Sequence, residues 1–97
     1  LTMDARILDE LYAMIESRRD ADPEQSWTAK LLADAPGLPA RKLGEEAVEC
    51  VIEAMRGDNK ALTSEAADLI YHLLVVLAAA GVSPADVWAE LEKRQGQ

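Results

Sequence analysis

A chain of 97 residues is enough for one domain and too short for two, so residues 1–97 are read as a single unit with a thin core of its own. Apolar residues make up 49% of it, yet there is no Phe and only two Trp and two Tyr. A core of Leu, Ile, Val, Ala and Met suits helices better than a β-sandwich, and a net charge of −8 argues against nucleic acid or an anionic membrane surface as partner.

In chain order, Ile7, Leu8, Leu11, Tyr12 and Ile15 fall on one face of a helix expected from about Met3 to Arg19. The polar stretch Asp20 to Gln25, with Pro23, reads as a loop. Ser26 is placed to cap a short helix through Ala33, stopped by the Ala35-Pro36-Gly37-Leu38-Pro39 punctuation. A third helix is expected from about Ala40 to Arg56, ending at Gly57-Asp58-Asn59. A fourth is expected to start at Thr63 or Ser64 as cap, with Glu65 in its first turn, and to stop at Gly81 after Ala80. The last opens with Ser83 as cap and Pro84 in its first position, and runs to about Arg94. No stretch reads as a strand. The expected fold is therefore all-α, with four to five helices. Its single cysteine, Cys50, forbids an intrachain disulfide and a cysteine-based zinc site, which fits a reducing cytoplasm. No signal peptide is recognisable, and the apolar run Leu69 to Val82 reads as too short to span a membrane.

The chemistry-bearing residues lie on the third and fourth helices. The fourth is apolar almost all round, which is the mark of a buried helix, apart from Glu65, Asp68, Tyr71 and His72. Glu65, Asp68 and His72 share one narrow stripe, so they form a local polar patch on a core helix. The third helix carries Val48, Val51, Ile52 and Met55 on one face and Glu45, Glu46, Glu49 and Glu53 on another. Glu46 and Glu49 are one turn apart, close enough to touch one ion. Helices joined by a short link pack antiparallel. That would carry Glu46 and Glu49 towards Glu65 and Asp68 if the chain around Lys60 to Leu62 allows the offset. Carboxylates meeting there need a compensating cation, and an all-oxygen shell suits Mg²⁺, with Mn²⁺ as substitute, rather than zinc. Taken on spacing alone, solvated helix faces would explain the same acids as well; the apolar surroundings of Glu65 and Asp68 favour a site.

The segments Lys42-Leu-Gly-Glu-Glu-Ala-Val-Glu49 and Glu65-Ala-Ala-Asp68-Leu-Ile-Tyr-His72-Leu-Leu-Val75 resemble the MazG-like all-α nucleotide pyrophosphohydrolases. The second segment and Ser26-Trp27-Thr28-Ala29-Lys30-Leu31-Leu32 point more narrowly to the phosphoribosyl-ATP pyrophosphatase family. The likeness covers almost the whole chain. It departs from the family at Trp27, where Tyr is more usual, and in the proline-rich Pro36 to Pro39 stretch. The resemblance implies that Glu46, Glu49, Glu65 and Asp68 are metal ligands and that Glu45 or Glu49 is the catalytic base. It implies Mg²⁺-dependent hydrolysis of phosphoribosyl-ATP to phosphoribosyl-AMP and pyrophosphate, the second step of histidine biosynthesis, by a cytoplasmic homodimer or higher homo-oligomer. A cation would also let an acidic protein hold a polyphosphate.

Other residues carry plainer readings beside the functional one. Lys42 is a candidate phosphate contact, though Lys42 and Arg41 could equally pair with Glu45 and Glu46 across one turn. Lys30 and Ser26 are further substrate-binding candidates, with a solubilising lysine and a helix cap as the alternatives. His72 is set aside as a core or interface histidine, and Cys50, Trp27 and Trp88 as packing residues. Two rival functions remain: a MazG-like house-cleaning enzyme acting on free nucleoside triphosphates, and a non-catalytic helical dimerisation module.

Overall fold

The computed structural model describes residues 4–96. Five helices follow one another: α1 (Arg6–Ser17), α2 (Trp27–Ala33), α3 (Gly37–Arg56), α4 (Asn59–Ala80) and α5 (Pro84–Gln95), with no strand among the described residues. The expected start of the first helix at Met3 lies outside the described residues.

Local chemistry sets most of the helix ends. Ser26 Oγ accepts from the Ala29 amide at 3.1 Å, as a capping serine should. Ser83 and Asp86 form a reciprocal capping box at the head of α5, with Pro84 in the first turn. Gly57 and Gly81 end α3 and α4 with φ of 74° and 75°, a left-handed conformation in which a side chain would be strained.

Two expected boundaries are corrected. Helix α3 begins at Gly37, three residues before Ala40. Pro39 does not oppose this, because it sits in the first turn, where its missing amide hydrogen has no intrahelical acceptor to lose. Helix α4 begins at Asn59, capped by Asp58, whose carboxylate accepts from the Ala61 amide at 3.0 Å. Thr63 and Ser64 are inside the helix, and the Thr63 hydroxyl donates to the Asn59 carbonyl at 2.8 Å instead of capping.

The core lies beneath α1, α2 and α4, where Ile15, Leu31, Leu74, Val75 and Ala78 are buried together, flanked by Leu8, Leu11, Met14 and Tyr71. Polar ties fix this group from outside. The Tyr12 hydroxyl donates to the Val82 carbonyl at 3.0 Å, Arg19 donates to the Ala78 carbonyl, and the Thr28 and Tyr71 hydroxyls bond each other. Helix α3 meets that core only in its first turn, through Leu38, and packs along α4 as an antiparallel hairpin, through the Gly57-Asp58 turn. Helix α4, at 22 residues, is long and apolar enough to cross a membrane by length and composition alone, because it extends well before the apolar run that begins at Leu69. Its contacts with α1, α2 and α3 explain the apolar composition as that of a central helix.

Candidate metal centre

The α3–α4 hairpin decides which carboxylates meet. Because the turn between the helices is only Gly57-Asp58, the middle of α3 lies beside the first half of α4. Glu46 from α3 and Glu65 and Asp68 from α4 each offer a carboxylate oxygen within 4.8 Å of the others. Glu46 and Glu65 are half-buried and Asp68 is exposed, so the group forms a shallow acidic notch at the helix seam.

The charges in that notch conflict. The Glu46 side chain, close enough to share a proton with Glu65, raises the Glu65 carboxyl above its ordinary value. Desolvation and the charges of Glu46, Asp68 and Glu53 push in the same direction. The neighbouring Cys50 thiol is also raised, by desolvation and then by Glu65, Glu46 and Asp68. A concentrated negative field that spreads to a thiol is what a hard divalent cation would relieve. Three converging oxygens, with room for water on the Asp68 side, fit such an ion, and the donor set excludes a preference for soft metals.

Of the residues singled out from sequence, Glu46, Glu65 and Asp68 are brought together and Glu49 stands apart, exposed. The rotation of α3 accounts for this: three residues turn the helix by about 300°, leaving Glu49 roughly 60° away from Glu46. Glu45 is held by Arg41 at 3.6 Å and Lys42 at 3.3 Å, so Lys42 pairs with Glu45 rather than Glu46. Lys42 also lies over the Trp27 ring, 5.8 Å from its centroid, which links α2 to α3. Lys30 pairs with Asp34 at 2.8 Å, and Ser26 is occupied as the α2 cap. No described contact joins Lys30 or Ser26 to the carboxylates.

Two residues noted on these helices but not placed in the candidate site border the centre. Glu53 follows Glu46 by two turns, hence on nearly the same stripe of α3; its side chain is 15% exposed, and Arg56 stands 3.7 Å from its Oε1. That spacing was a signal that Glu53 faces α4 while Glu49 does not. His72, one turn beyond Asp68, is buried, and its Nδ1 lies 2.9 Å from the Asp68 carbonyl. Further along the seam, an apolar cavity of about 290 Å³ opens between Pro36, Pro39 and Ala40 on one side and Val76, Ala79 and Ala80 on the other.

Residues 8–95 match the family described as phosphoribosyl-ATP pyrophosphohydrolase. The chain belongs to that family. A phosphoribosyl-ATP pyrophosphatase of Cereibacter sphaeroides is 60% identical over 90 residues, which cover 93% of this chain and 87% of the relative. One from Jannaschia sp. is 61% identical over 89 residues, covering 92% and 87%. One from Azospirillum brasilense is 55% identical over 92 residues, covering 95% and 83%. The matched segment thus takes in α2 to α5 whole and α1 from its third residue, and the carboxylate notch falls inside it.

Proposed function

We propose that this chain hydrolyses phosphoribosyl-ATP to phosphoribosyl-AMP and pyrophosphate, the second step of histidine biosynthesis, in the cytoplasm. The observation that carries the reading, beside family membership, is the convergence of Glu46, Glu65 and Asp68 within 4.8 Å in an all-α hairpin. These three would hold Mg²⁺, or Mn²⁺ in its place. When bound, the cation neutralises charge on the substrate's phosphates and on the leaving pyrophosphate and makes water a better nucleophile.

The chain's own residues supply the rest. Glu49, exposed and without an ion pair among the described residues, is free to swing in as the fourth carboxylate and to take the proton of the attacking water at its carboxylate oxygen. Glu45 is the less suited base, since Arg41 and Lys42 already share its charge. Lys42, one turn before Glu46, faces the substrate's phosphates and is steadied by Trp27. Lys30 and Ser26 reach substrate only by giving up present partners. For Lys30 that cost is small, because its pair with Asp34 is half exposed.

The same reading includes a homodimer. Val48, Val51, Ile52 and Met55, the apolar face of α3, are all exposed, Met55 at 84%. Ile70 and Leu73 of α4 are exposed as well. A second copy laid along this hairpin would bury them and complete a helical bundle.

Pyrophosphate release from phosphoribosyl-ATP and from a panel of nucleoside triphosphates, with Mg²⁺ and with EDTA, tests the assignment. Mg²⁺-dependent release confined to phosphoribosyl-ATP is expected. Release from ordinary triphosphates instead would move the chain to a house-cleaning role, and release from none would leave a non-catalytic helical module.

A further inference from the structure

Two buried polar atoms among the described residues lack a hydrogen-bond partner, Glu53 Oε1 and His72 Nε2. Glu53 has the Arg56 guanidinium nearby to balance its charge. His72 makes no ion pair among the described residues, and it is only 7% exposed. Its Nδ1 lies 2.9 Å from the Asp68 carbonyl oxygen, which can only accept. Nδ1 therefore carries the proton, and in the neutral ring Nε2 is a bare acceptor buried without a donor, an arrangement that folded proteins avoid.

The direction of the ring matters as much as its burial. A bond to the carbonyl four residues back folds the imidazole towards the turn that bears Asp68. At about 100° per residue, His72 is roughly 20° from Glu65 and 40° from Asp68 around α4. Whatever proton Glu46 and Glu65 share, none of the three carboxylates gathered there donates it to Nε2, which has no hydrogen-bond partner. Tyr71 packs edge-on against the ring, with centroids 4.9 Å apart, and its hydroxyl is engaged with Thr28. What the arrangement lacks is a donor from outside the protein.

We propose that His72 Nε2 accepts a hydrogen bond from a water in the coordination shell of the divalent cation, which makes His72 a positioning residue for the metal centre. The proposal rests on the reading of Glu46, Glu65 and Asp68 as ligands. Mg²⁺ keeps several waters when protein carboxylates bind it, and such waters are polarised donors. One imidazole would then hold the peptide of a ligand with Nδ1 and the cation's water with Nε2. Partners of this outer kind change metal affinity by about 10–100-fold when removed.

The test is Mg²⁺ titration of the protein carrying ¹⁵N-histidine, followed by NMR, with calorimetric Mg²⁺ binding to His72→Phe, His72→Gln and Asp68→Asn. Before metal, Nδ1 should be protonated and Nε2 bare; Mg²⁺ should move the Nε2 resonance upfield and leave Nδ1 nearly still. His72→Phe should bind Mg²⁺ about tenfold or more weakly. His72→Gln, whose amide reaches towards the place of Nε2, should recover part of the loss. An Nε2 resonance unmoved at Mg²⁺ saturation, or full affinity in His72→Phe, overturns the proposal while leaving the carboxylate site intact. Mg²⁺ binding that is absent in the natural protein, or undiminished in Asp68→Asn, overturns the ligand reading and this proposal with it. If His72→Phe does not fold, the Nε2 resonance of the natural protein decides.

Discussion

Glu65 is the residue at which the demands of folding and of chemistry part. Its carboxylate lies within 4.8 Å of those of Glu46 and Asp68, and the charge of Glu53 adds to theirs, so metal-free protein holds like charges together that the unfolded chain would separate. Glu65→Gln should therefore raise the melting temperature of the metal-free protein, and scanning calorimetry in EDTA reads this directly. The same change should abolish the rise in melting temperature expected when Mg²⁺ is added to the natural protein, since a neutral amide is a poor ligand for a hard cation. A metal-free melting temperature that falls in the variant would mean that Glu65 contributes to the fold in its own right. At Glu49 and Glu45 the prediction concerns rate. Glu49→Gln should lower kcat by about 10²–10⁴-fold, the usual contribution of a general base, whereas Glu45→Gln should act mainly through the released Lys42 and raise KM. Equal loss of kcat in both would contradict the division of roles drawn from their ion pairs.

Helix α4 shows how much of the site depends on one turn. The Gly57-Asp58 pair ends α3 and caps α4 without an intervening residue, and this short link sets the register that places Glu46 against Glu65 and Asp68. Asp58→Ala should cost about 1 kcal/mol of stability, as loss of a capping side chain does, while Thr63→Ala should cost far less. Gly81→Ala should cost about 1–2 kcal/mol, because alanine is strained at φ 75°. Urea unfolding of the three variants ranks them, and a Thr63→Ala loss equal to that of Asp58→Ala would contradict the cap seen here. Elements were legible in the sequence where a residue had one dominant local role: Ser26, Ser83 with Pro84, and the glycines 57 and 81 mark the ends they were expected to mark. The start of α4 was misplaced because Thr63 and Ser64 have the same capping chemistry as Asp58, and only the tightness of the preceding turn favours the aspartate. The start of α3 was misplaced because Pro39 reads as a breaker until its position in the first turn is known. Among the carboxylates, motif spacing singled out Glu46, Glu49, Glu65 and Asp68 alike; the seven-residue step from Glu46 already put Glu53 on its stripe, and the packed hairpin shows that this stripe, not Glu49, faces α4.

At the scale of the whole molecule, the surface is too large for the mass. A monomeric protein of 10.6 kDa is expected to expose about 5,500 Å², and this chain exposes 6790 Å². The radius of gyration, 14.6 Å, exceeds the roughly 12.5 Å of a compact chain of this length. The surplus of roughly 1,300 Å² is of the size that one partner hides in a sizeable protein interface. It agrees with the uncovered stripe of Val48, Val51, Ile52 and Met55. Composition had already indicated a thin core; which apolar face would be left without a cover depended on how α3 docks. The melting temperature should therefore rise with protein concentration, and Val51→Asp should shift the chain towards monomer in analytical ultracentrifugation. A concentration-independent melt together with a monomeric natural protein would contradict the dimer.

The claim on which everything else depends is that Glu46, Glu65 and Asp68 form a divalent-cation centre for cleaving phosphoribosyl-ATP. The most direct measurement is pyrophosphate release from phosphoribosyl-ATP by the natural protein and by Asp68→Asn across a Mg²⁺ titration, with circular dichroism to show that both keep their helices. The natural protein should turn over only when Mg²⁺ is present, and Asp68→Asn should lose roughly 10²–10³-fold or more in rate while remaining folded. Turnover that persists in EDTA, or a folded Asp68→Asn protein as active as its parent, would contradict it.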